Sequence, residues 1–338
     1  MTKIFFFFLD KNFIILFFRY RDIENGKFTS ILPEKHCKNN VWLIKPNNQS
    51  DGKGIQIFKN LRDIENFIGS RPNKTVWLIQ KYIEFPLIYN ERKFDLRIWT
   101  LITDKNEVYI YKNSFIKTSC FPFNIYNTDN NIIHLTSNSV QKMCSEYGKI
   151  EDGNTLGIEI LEQLFEDYKT KLKLDTDVFP RIKDIIIDVF LSIRSKINFR
   201  HRKNCFELFC FDFLIDNDYR LWLLDVGNTN DIGLNCKFMR NTLPKLIDDI
   251  FSLTIDKPFE PLIENFHLGS KENMFEAIYS EFIVKINKRN AFDKTNFYPI
   301  PDLIPKNSDG GSGSFADIND KIIDKKYERL YENFDVKK

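Results

Sequence analysis

Residues 93–98, KFDLRI, constrain the fold most strongly, because charged and apolar side chains alternate along them. In a β-strand, alternate side chains point to opposite faces. Lys93, Asp95 and Arg97 therefore share one face, and the three apolar residues between them need a core on the other. The charged row suits a cleft in which Lys93 and Arg97 hold an anion and Asp95 orients one of them. The alternative is a solvated sheet face with cross-strand ion pairs.

Two further carboxylates lie in strongly apolar surroundings. Asp212 is embedded in residues 206–213, FELFCFDF, and Asp225 directly follows residues 221–224, LWLL. A four-residue hairpin loop at residues 217–220 would place Asp212 opposite Asp225. Facing carboxylates repel unless a cation lies between them, and oxygen ligands of this kind suit Mg²⁺ together with phosphate oxygens. The alternative is that a nearby Lys or Arg neutralises each carboxylate.

A glycine-containing loop follows the first predicted strand of residues 41–44. Gly52 and Gly54 would let the backbone approach a bulky anion, and Lys45 and Lys53 could neutralise phosphate charge. The pattern GxxxxGK[ST] of a Walker A loop is absent, so an ordinary hairpin turn stays as the alternative.

His134 stands in the polar segment HLTSN at residues 134–138. A single histidine is most often structural, but Thr136 and its polar neighbours could hydrogen-bond a nucleotide or substrate. Either role is compatible with the residues.

A basic segment, RSKINFRHRK at residues 194–203, closes a predicted helix. Cations are favourable at a helix C-terminus because they complement the helix dipole. The functional alternative is a surface that receives an acidic polypeptide.

Hydrophobic periodicity predicts an α+β chain with antiparallel hairpins. The predicted single strands are residues 41–44, 55–58 and 76–83. Two hairpins are predicted, one from strands 94–103 and 107–117 and one from strands 206–215 and 221–226. Four helices are predicted. The first begins at Leu61 and ends near Gly69, the second and third are indicated by apolar stripes over 158–168 and 182–193, and the fourth covers 243–253. Residues 121–153 are predicted to be rich in loops.

Composition excludes several classes of protein. The 49 Lys and Arg against 47 acidic residues argue against a dedicated nucleic-acid binder. The six cysteines and four histidines lack zinc-site spacing, which favours reduced thiols in a cytosolic protein. The Phe-rich runs at residues 5–9 and 13–18 are each shorter than a membrane span, and a buried strand pair or a wrongly assigned start of translation would explain them.

Seven segments taken together resemble the tubulin–tyrosine ligase-like family, which has an ATP-grasp fold. In order from about residue 41 they are VWLIKPNNQSDGKGI, VWLIQKYIEFPLI, RKFDLRIWTLIT, IIHLTSNSVQK, YGKIEDGN, FELFCFDF and WLLDVGN. The resemblance implies an α+β, ATP-grasp-like fold with antiparallel sheets flanked by helices. It also implies a catalytic domain at residues 41–255, preceded by a truncated or mis-started segment at 1–40. A C-terminal extension at 256–306 and a Gly/Ser linker with a charged tail at 307–338 would follow.

The family's chemistry implies an ATP- and Mg²⁺-dependent ligase. It would add Tyr, Glu or Gly to a tubulin carboxylate through an acylphosphate. The implied partners are the acidic tail of tubulin or microtubules and a free amino acid, without nucleic acid or membrane. The implied location is the cytoplasm, at the cytoskeleton or cilium. The matching positions are Lys93, Asp95, Arg97 and Lys117 for catalysis; Lys45, Lys53, Gln80, Lys81, Tyr82, Ile83, His134 and Thr136 for ATP; and Asp212, Asp225 and Asn228 for Mg²⁺.

Three departures from the family pattern support an alternative, a weak or inactive pseudo-ligase that binds tubulin. The family's LEVN is replaced by LDVGN, which shortens the carboxylate at Asp225 and shifts Asn228 by one place. HLTN has become HLTS through Ser137. Lys117 replaces an arginine and so lacks its planar fork of donors.

Overall fold

The computed structural model describes residues 4–6, 34–46, 49, 52–71, 77–194, 196–198, 200–228, 232–256 and 272–280. The strands are β1 Ile4–Phe6, β2 Trp42–Pro46, β3 Gln56–Phe58, β4 Trp77–Lys81, β5 Ile88–Tyr89, β6 Arg92–Thr103, β7 Val108–Tyr111, β8 Phe115–Pro122, β9 Thr155–Gly157, β10 Phe206–Ile215, β11 Leu221–Gly227 and β12 Phe275–Tyr279. The helices are α1 Leu61–Gly69, α2 Asn131–His134, α3 Asn138–Gln141, α4 Ile160–Asp167, α5 Phe179–Ile193 and α6 Lys237–Thr254.

The large sheet is antiparallel and is built around β6. Its main strand order is β11-β10-β6-β7-β12, while β5 and β8 also pair with β6 and β9 pairs with β8. Helices α4 and α5 pack on one face, where Phe94, Leu96 and Ile98 enter the core as the alternation predicts. Helix α6 covers part of the other face through a second apolar cluster that includes Trp99. The charged row of β6 lies on this second face.

The small sheet has the order β1-β4-β2-β3, in which only the β1–β4 pairing is parallel. Its apolar residues Trp42, Ile44 and Ile79 share one cluster with Leu214 and Trp222 of the large sheet. The two sheets therefore meet at the β10–β11 hairpin, which brings β2 close to the strand that carries Asp225.

The architecture confirms the α+β class with antiparallel sheets flanked by helices, and most predicted elements are present. The strand predicted at 107–117 is wrong as a single element, because residues 112–114 interrupt it and divide it into β7 and β8. Both pieces still pair with β6.

Two further boundaries differ from prediction. Helix α6 begins six residues before the predicted start, and Pro244 lies inside it. The loop-rich region at 121–153 contains the short helices α2 and α3. Of the N-terminal runs, Ile4–Phe6 forms a strand, whereas residues 13–18 and the Gly/Ser linker lie outside the described residues.

No helix among the described residues is both long enough and apolar enough to cross a membrane. None of the six cysteines, all in described segments, forms a disulfide.

Candidate active site

The charged row of β6 is buried, so the alternative of a solvated sheet face is wrong. Lys93, Asp95 and Arg97 are 4%, 7% and 8% exposed. Buried charges are costly unless they are paired and hydrogen-bonded, and each of these is paired. Lys93 Nζ donates to Asp95 Oδ1 at 2.7 Å, so Asp95 orients the neighbouring lysine as the sequence predicts.

Arg97 grips Asp212 through two parallel hydrogen bonds. Its Nε and one terminal nitrogen each lie 2.7 Å from a different carboxylate oxygen, the bidentate geometry that arginine favours. Strand register creates the contact, because Arg97 on β6 pairs with Asp212 on β10. Lys117, which pairs with Asp95 across β6 and β8, also reaches Asp212 at 3.3 Å.

The protonation state of Asp212 follows from these neighbours. Burial would raise the pKa of the carboxyl, but the charges and hydrogen bonds of Arg97 and Lys117 outweigh burial and hold the pKa well below its usual range. Asp212 is therefore an anion neutralised by two cations, which is the alternative that the sequence left open for it.

Asp212 lies opposite Asp225, as predicted, but the turn and the strand pairing that produce this opposition differ from the prediction. The turn is one residue shorter than expected: Ile215 pairs with Leu221, and the Asp216 N–H then donates to the Arg220 carbonyl at 2.9 Å, which leaves three residues, 217–219, between them. The buried Asp216 side chain closes this tight turn by accepting from the backbone N–H of Asp218 and of Arg220. A β-bulge between the 212/225 and 213/223 pairs then restores the predicted opposition.

The bulge also ties the small sheet to the site. Lys45, at the end of β2, donates from Nζ to the backbone carbonyl of Leu224 at 3.1 Å. Lys45 is half-buried, whereas Asp225 and Asn228 are exposed. The lysine thus bonds the residue next to Asp225, which links the predicted glycine-loop motif to the carboxylate pair.

His134 is 1% exposed and bonded on both ring nitrogens. Nε2 lies 2.8 Å from the Asn127 carbonyl, so it carries the proton, and Nδ1 accepts from the Tyr82 hydroxyl at 2.9 Å. Burial is the main cause that lowers the pKa of His134 from 6.5 to about 4, with nearby Lys93 and Lys59 acting in the same direction. His134 is therefore a neutral residue that holds Tyr82.

Thr136 joins this segment to the charged row. Its hydroxyl donates a short hydrogen bond to Asp95 Oδ2, so Asp95 is held by Lys93 on one oxygen and by Thr136 on the other. The predicted nucleotide segment and the predicted catalytic row are therefore one bonded network.

The glycine loop contacts the same segment. Gly52 has φ +77°, and a Cβ at this position would lie 2.7 Å from the Ser137 hydroxyl oxygen. Only glycine combines that backbone conformation with so close an approach. Lys53, next in the loop, is exposed.

The segment from Gln80 to Ile83 points in several directions. Lys81 is buried and donates to Glu84 at 2.6 Å and to the Val41 carbonyl at 2.8 Å, and burial lowers the pKa of its ammonium. Tyr82 and Ile83 enter two different apolar clusters, and Gln80 is half-buried. Of these four residues, only Tyr82 contacts another predicted ATP residue, His134, through a described side-chain hydrogen bond, and Lys81 is occupied by Glu84.

Sequence reasoning missed the buried polar residues behind the network. Gln141 is 0% exposed, accepts from the Cys120 N–H at 2.7 Å, and donates to the carbonyls of Ile132 and Leu135. Arg92 forms a buried two-point ion pair with Glu151. Gln141 and Glu151 both lie inside the segments that resemble the family, but a single polar residue in a sequence gives no indication that it is buried.

The oxygen donors of Asp212 and Asp225 are of the kind that Mg²⁺ prefers. Within the described ranges, no group of three His, Cys, Asp or Glu side chains could hold a metal alone. Two facing carboxylates fit Mg²⁺ only when phosphate oxygens and water complete its shell. The residues therefore fit a magnesium–nucleotide complex and do not fit a dedicated metal cage.

The buried row of paired charges is thus connected, through Thr136 and the neighbouring Ser137, to a glycine loop of the small sheet. The sequence profile of the tubulin-tyrosine ligase family matches residues 10–262, so the chain belongs to that family.

Similar proteins include tubulin glycylase 3C of Tetrahymena thermophila, 32% identical over 72% of this chain and 23% of that protein. Tubulin monoglycylase TTLL3 of Homo sapiens is 28% identical over 73% of this chain and 32% of its own length. The probable tubulin polyglutamylase TTLL2 of Homo sapiens is 32% identical over 64% and 36%. The chain spans about a quarter to a third of the length of these relatives.

Proposed function

We propose that this chain carries an ATP- and Mg²⁺-dependent ligase that joins the amine of a free amino acid to a carboxylate of tubulin. The γ-phosphoryl group of ATP would pass to the acceptor carboxylate, which gives an acylphosphate and releases ADP. Attack by the amine would then form the amide and release phosphate, with the carboxylate oxygen leaving on the phosphate. Family membership and the names of the relatives support tubulin as the partner.

One observation carries the proposal: charged residues from separate segments lie side by side in one charged network, joined partly by hydrogen bonds and partly by strand register alone. Lys45 bonds the Leu224 carbonyl next to Asp225, Asp225 lies opposite Asp212 in the strand register, and Asp212 accepts from Arg97 and Lys117. Asp95 lies opposite Lys117 in the register and is hydrogen-bonded to Lys93 and Thr136. Four cations and three carboxylates leave this network cationic, which favours a polyanion.

The proposed roles follow from position and burial. Lys45, together with exposed Lys53 beside Gly52, would contact phosphates that approach the glycine loop. Lys93, Arg97 and Lys117 lie where water is largely excluded, so their charges act strongly on an oxyanion in a tetrahedral intermediate. Asp95 keeps Lys93 oriented. His134 and Tyr82 support the segment that carries Thr136.

Asp225 and Asp212, with Asn228 nearby, would hold Mg²⁺ together with phosphate oxygens. The metal would supply neutralisation of phosphate charge. Asp225 is the more available ligand, because it is exposed while Asp212 already accepts three hydrogen bonds.

Glycine is the first amino acid to test, because several of the similar proteins are named glycylases; glutamate and tyrosine follow. The experiment measures ATP-dependent incorporation of each labelled amino acid into tubulin. Incorporation that requires Mg²⁺ and falls at least a hundredfold in Arg97→Gln supports the proposal. Incorporation of none of the three by the full chain contradicts it.

A second candidate is a pseudo-ligase that binds tubulin without turnover. The specific observation in its favour is the closed ion cluster, in which Arg97 and Lys117 already satisfy Asp212. Co-sedimentation with microtubules without any nucleotide-dependent change in stability would favour this candidate. A cytoplasmic location at the cytoskeleton is the expectation under either candidate.

A further inference from the structure

The basic segment after α5 is not used by the proposed active site. Residues 194–203 contain five Lys and Arg, and no Asp or Glu occurs from 194 to 206, whereas the whole chain has a net charge of only +2. The segment therefore carries a local excess of positive charge in a nearly neutral protein. The side chains of Lys196, Arg200, Arg202 and Lys203 are exposed.

The segment is held in a defined shape. The Asn198 side chain clamps Arg202, accepting from its backbone N–H and donating to its carbonyl, both at 2.8 Å. Asn198, His201 and Asn204 adopt left-handed backbone conformations with φ between 46° and 54°. The backbone N–H of Asn204 also donates to Asp104 at the tip of the β6–β7 hairpin, at 2.9 Å. The described residues of this basic loop, 196–198 and 200–204, thus display their charges on a backbone held by hydrogen bonds.

Strand register places the basic loop away from the site. Arg97 pairs with Asp212, and six residues further along β6, Thr103 pairs with Phe206, directly after the loop. At about 3.3 Å per residue, the loop lies roughly 20 Å from Arg97 along the sheet. About six residues of extended polypeptide would cover that distance.

We propose that the basic loop is a second binding surface for an acidic stretch of the protein substrate, outside the carboxylate that is modified. This rests on the proposed function, because a ligase acting on a carboxylate-rich polypeptide meets further carboxylates on the same chain. The near-neutral charge of the protein favours a polypeptide over nucleic acid. A fixed loop also loses less conformational entropy on binding than a mobile one.

The test uses the full chain and a fluorescent glutamate peptide of about ten residues, long enough to span from the loop toward the site. The variant Lys196→Gln/Arg202→Gln/Lys203→Gln removes three exposed charges but leaves the Asn198–Arg202 backbone hydrogen bonds intact. The matched control, Lys169→Gln/Lys171→Gln/Lys173→Gln, removes three exposed charges from the segment after α4.

Anisotropy titration at low salt is expected to show about tenfold weaker peptide binding for the loop variant and unchanged binding for the control. The difference should disappear at about 1 M salt, where the Debye length is near 3 Å. Asn198→Gly, which permits the left-handed backbone but removes both clamp hydrogen bonds, should also weaken binding.

Equal peptide binding by the loop variant and the wild type overturns the inference. So does loop-dependent binding of an oligonucleotide or of anionic vesicles without binding of the peptide. A parallel assay of amino-acid incorporation separates the two proposals. Loop-dependent peptide binding without incorporation rejects the ligase alone, whereas incorporation with a Michaelis constant for tubulin unchanged in the loop variant rejects the second surface alone.

Discussion

Asp212→Asn is expected to destabilise the protein strongly before any ligand is considered. The substitution leaves Arg97 and Lys117 buried without the anion that neutralises them. Removing one partner of a buried ion pair costs about 3–5 kcal/mol. Because the Asp212 side chain is 15% exposed and Asn keeps one acceptor oxygen, we expect the low end, about 3 kcal/mol.

Asp225→Asn is the matched control. Asp225 faces Asp212 across the strands but is exposed, so its substitution should change the free energy of unfolding by less than about 0.5 kcal/mol. Urea denaturation followed by circular dichroism measures both variants. A cost of about 3 kcal/mol corresponds to a fall in Tm of roughly 6–12 °C for a domain of this size.

The pH dependence gives an independent check on the same carboxylate. The pKa of Asp212 is lowered on folding, so its stabilisation is fully present above the unfolded pKa of about 3.9 and is lost as the pH falls below it. The stability difference between wild type and Asp212→Asn should therefore be constant near neutral pH and shrink below about pH 4. Equal stability of Asp212→Asn and Asp225→Asn near neutral pH would refute the reasoning.

Three further predictions concern the neighbouring residues. The pKa of His134 is lowered from 6.5 to about 4 on folding, so the free energy of unfolding of wild type should fall by up to about 3 kcal/mol relative to that of His134→Asn as the pH falls from 6.5 to 4. Urea denaturation at several pH values in that range measures this difference, and a difference that does not change with pH would contradict the prediction. Gly52→Ala should weaken ATP binding at least tenfold by displacing the loop from Ser137, measured by nucleotide-induced thermal shift, and an unchanged shift would count against the loop's role. Gln141→Leu should cost about 2–4 kcal/mol, because buried backbone groups lose their partners, whereas exposed Gln163→Leu on α4 should cost under about 0.5 kcal/mol; similar costs for the two would contradict the structural role of Gln141.

The alternation in residues 93–98 was sufficient to predict a strand with one apolar and one charged face. Strand period fixes which side chains share a face, and the apolar row identifies the face that enters the core. The pairing of that face with particular partners was not predictable in the same way. Arg97 meets Asp212 through the register of strands more than a hundred residues apart, and no local pattern encodes that register.

The hairpin at Asp216 shows how a correct prediction can rest on incorrect geometry. The opposition of Asp212 and Asp225 was expected from a four-residue loop, but the structure reaches it with a shorter turn and a bulge. Asp216 accepts from two backbone N–H groups of the turn and is also bonded to His36, 180 residues away in sequence. An aspartate that closes its own turn is a local signal, but the bond to His36 and the bulge depend on distant partners that the local sequence does not reveal.

The alternation of side chains along residues 107–117 did not reveal the interruption between β7 and β8. Residues 112–114 read as part of a strand, yet Ser114 folds back so that its hydroxyl donates to the Tyr111 carbonyl at 2.7 Å. The break shifts the pairing of β8 with β6 relative to that of β7. Lys117 consequently lies opposite Asp95 and within reach of Asp212, a placement that only the assembled sheet determines.

The most direct measurement for the central claim is isothermal titration of the full chain with ATP in the presence and absence of Mg²⁺. We expect Mg²⁺-dependent binding that weakens at least tenfold in Asp225→Asn. It should be unchanged in Asp218→Asn, where an exposed carboxylate at the tip of the same hairpin is removed. Undetectable ATP binding by a folded wild type, or equal binding by both variants, would contradict the assignment of the carboxylate pair and the neighbouring lysines to a magnesium–nucleotide site.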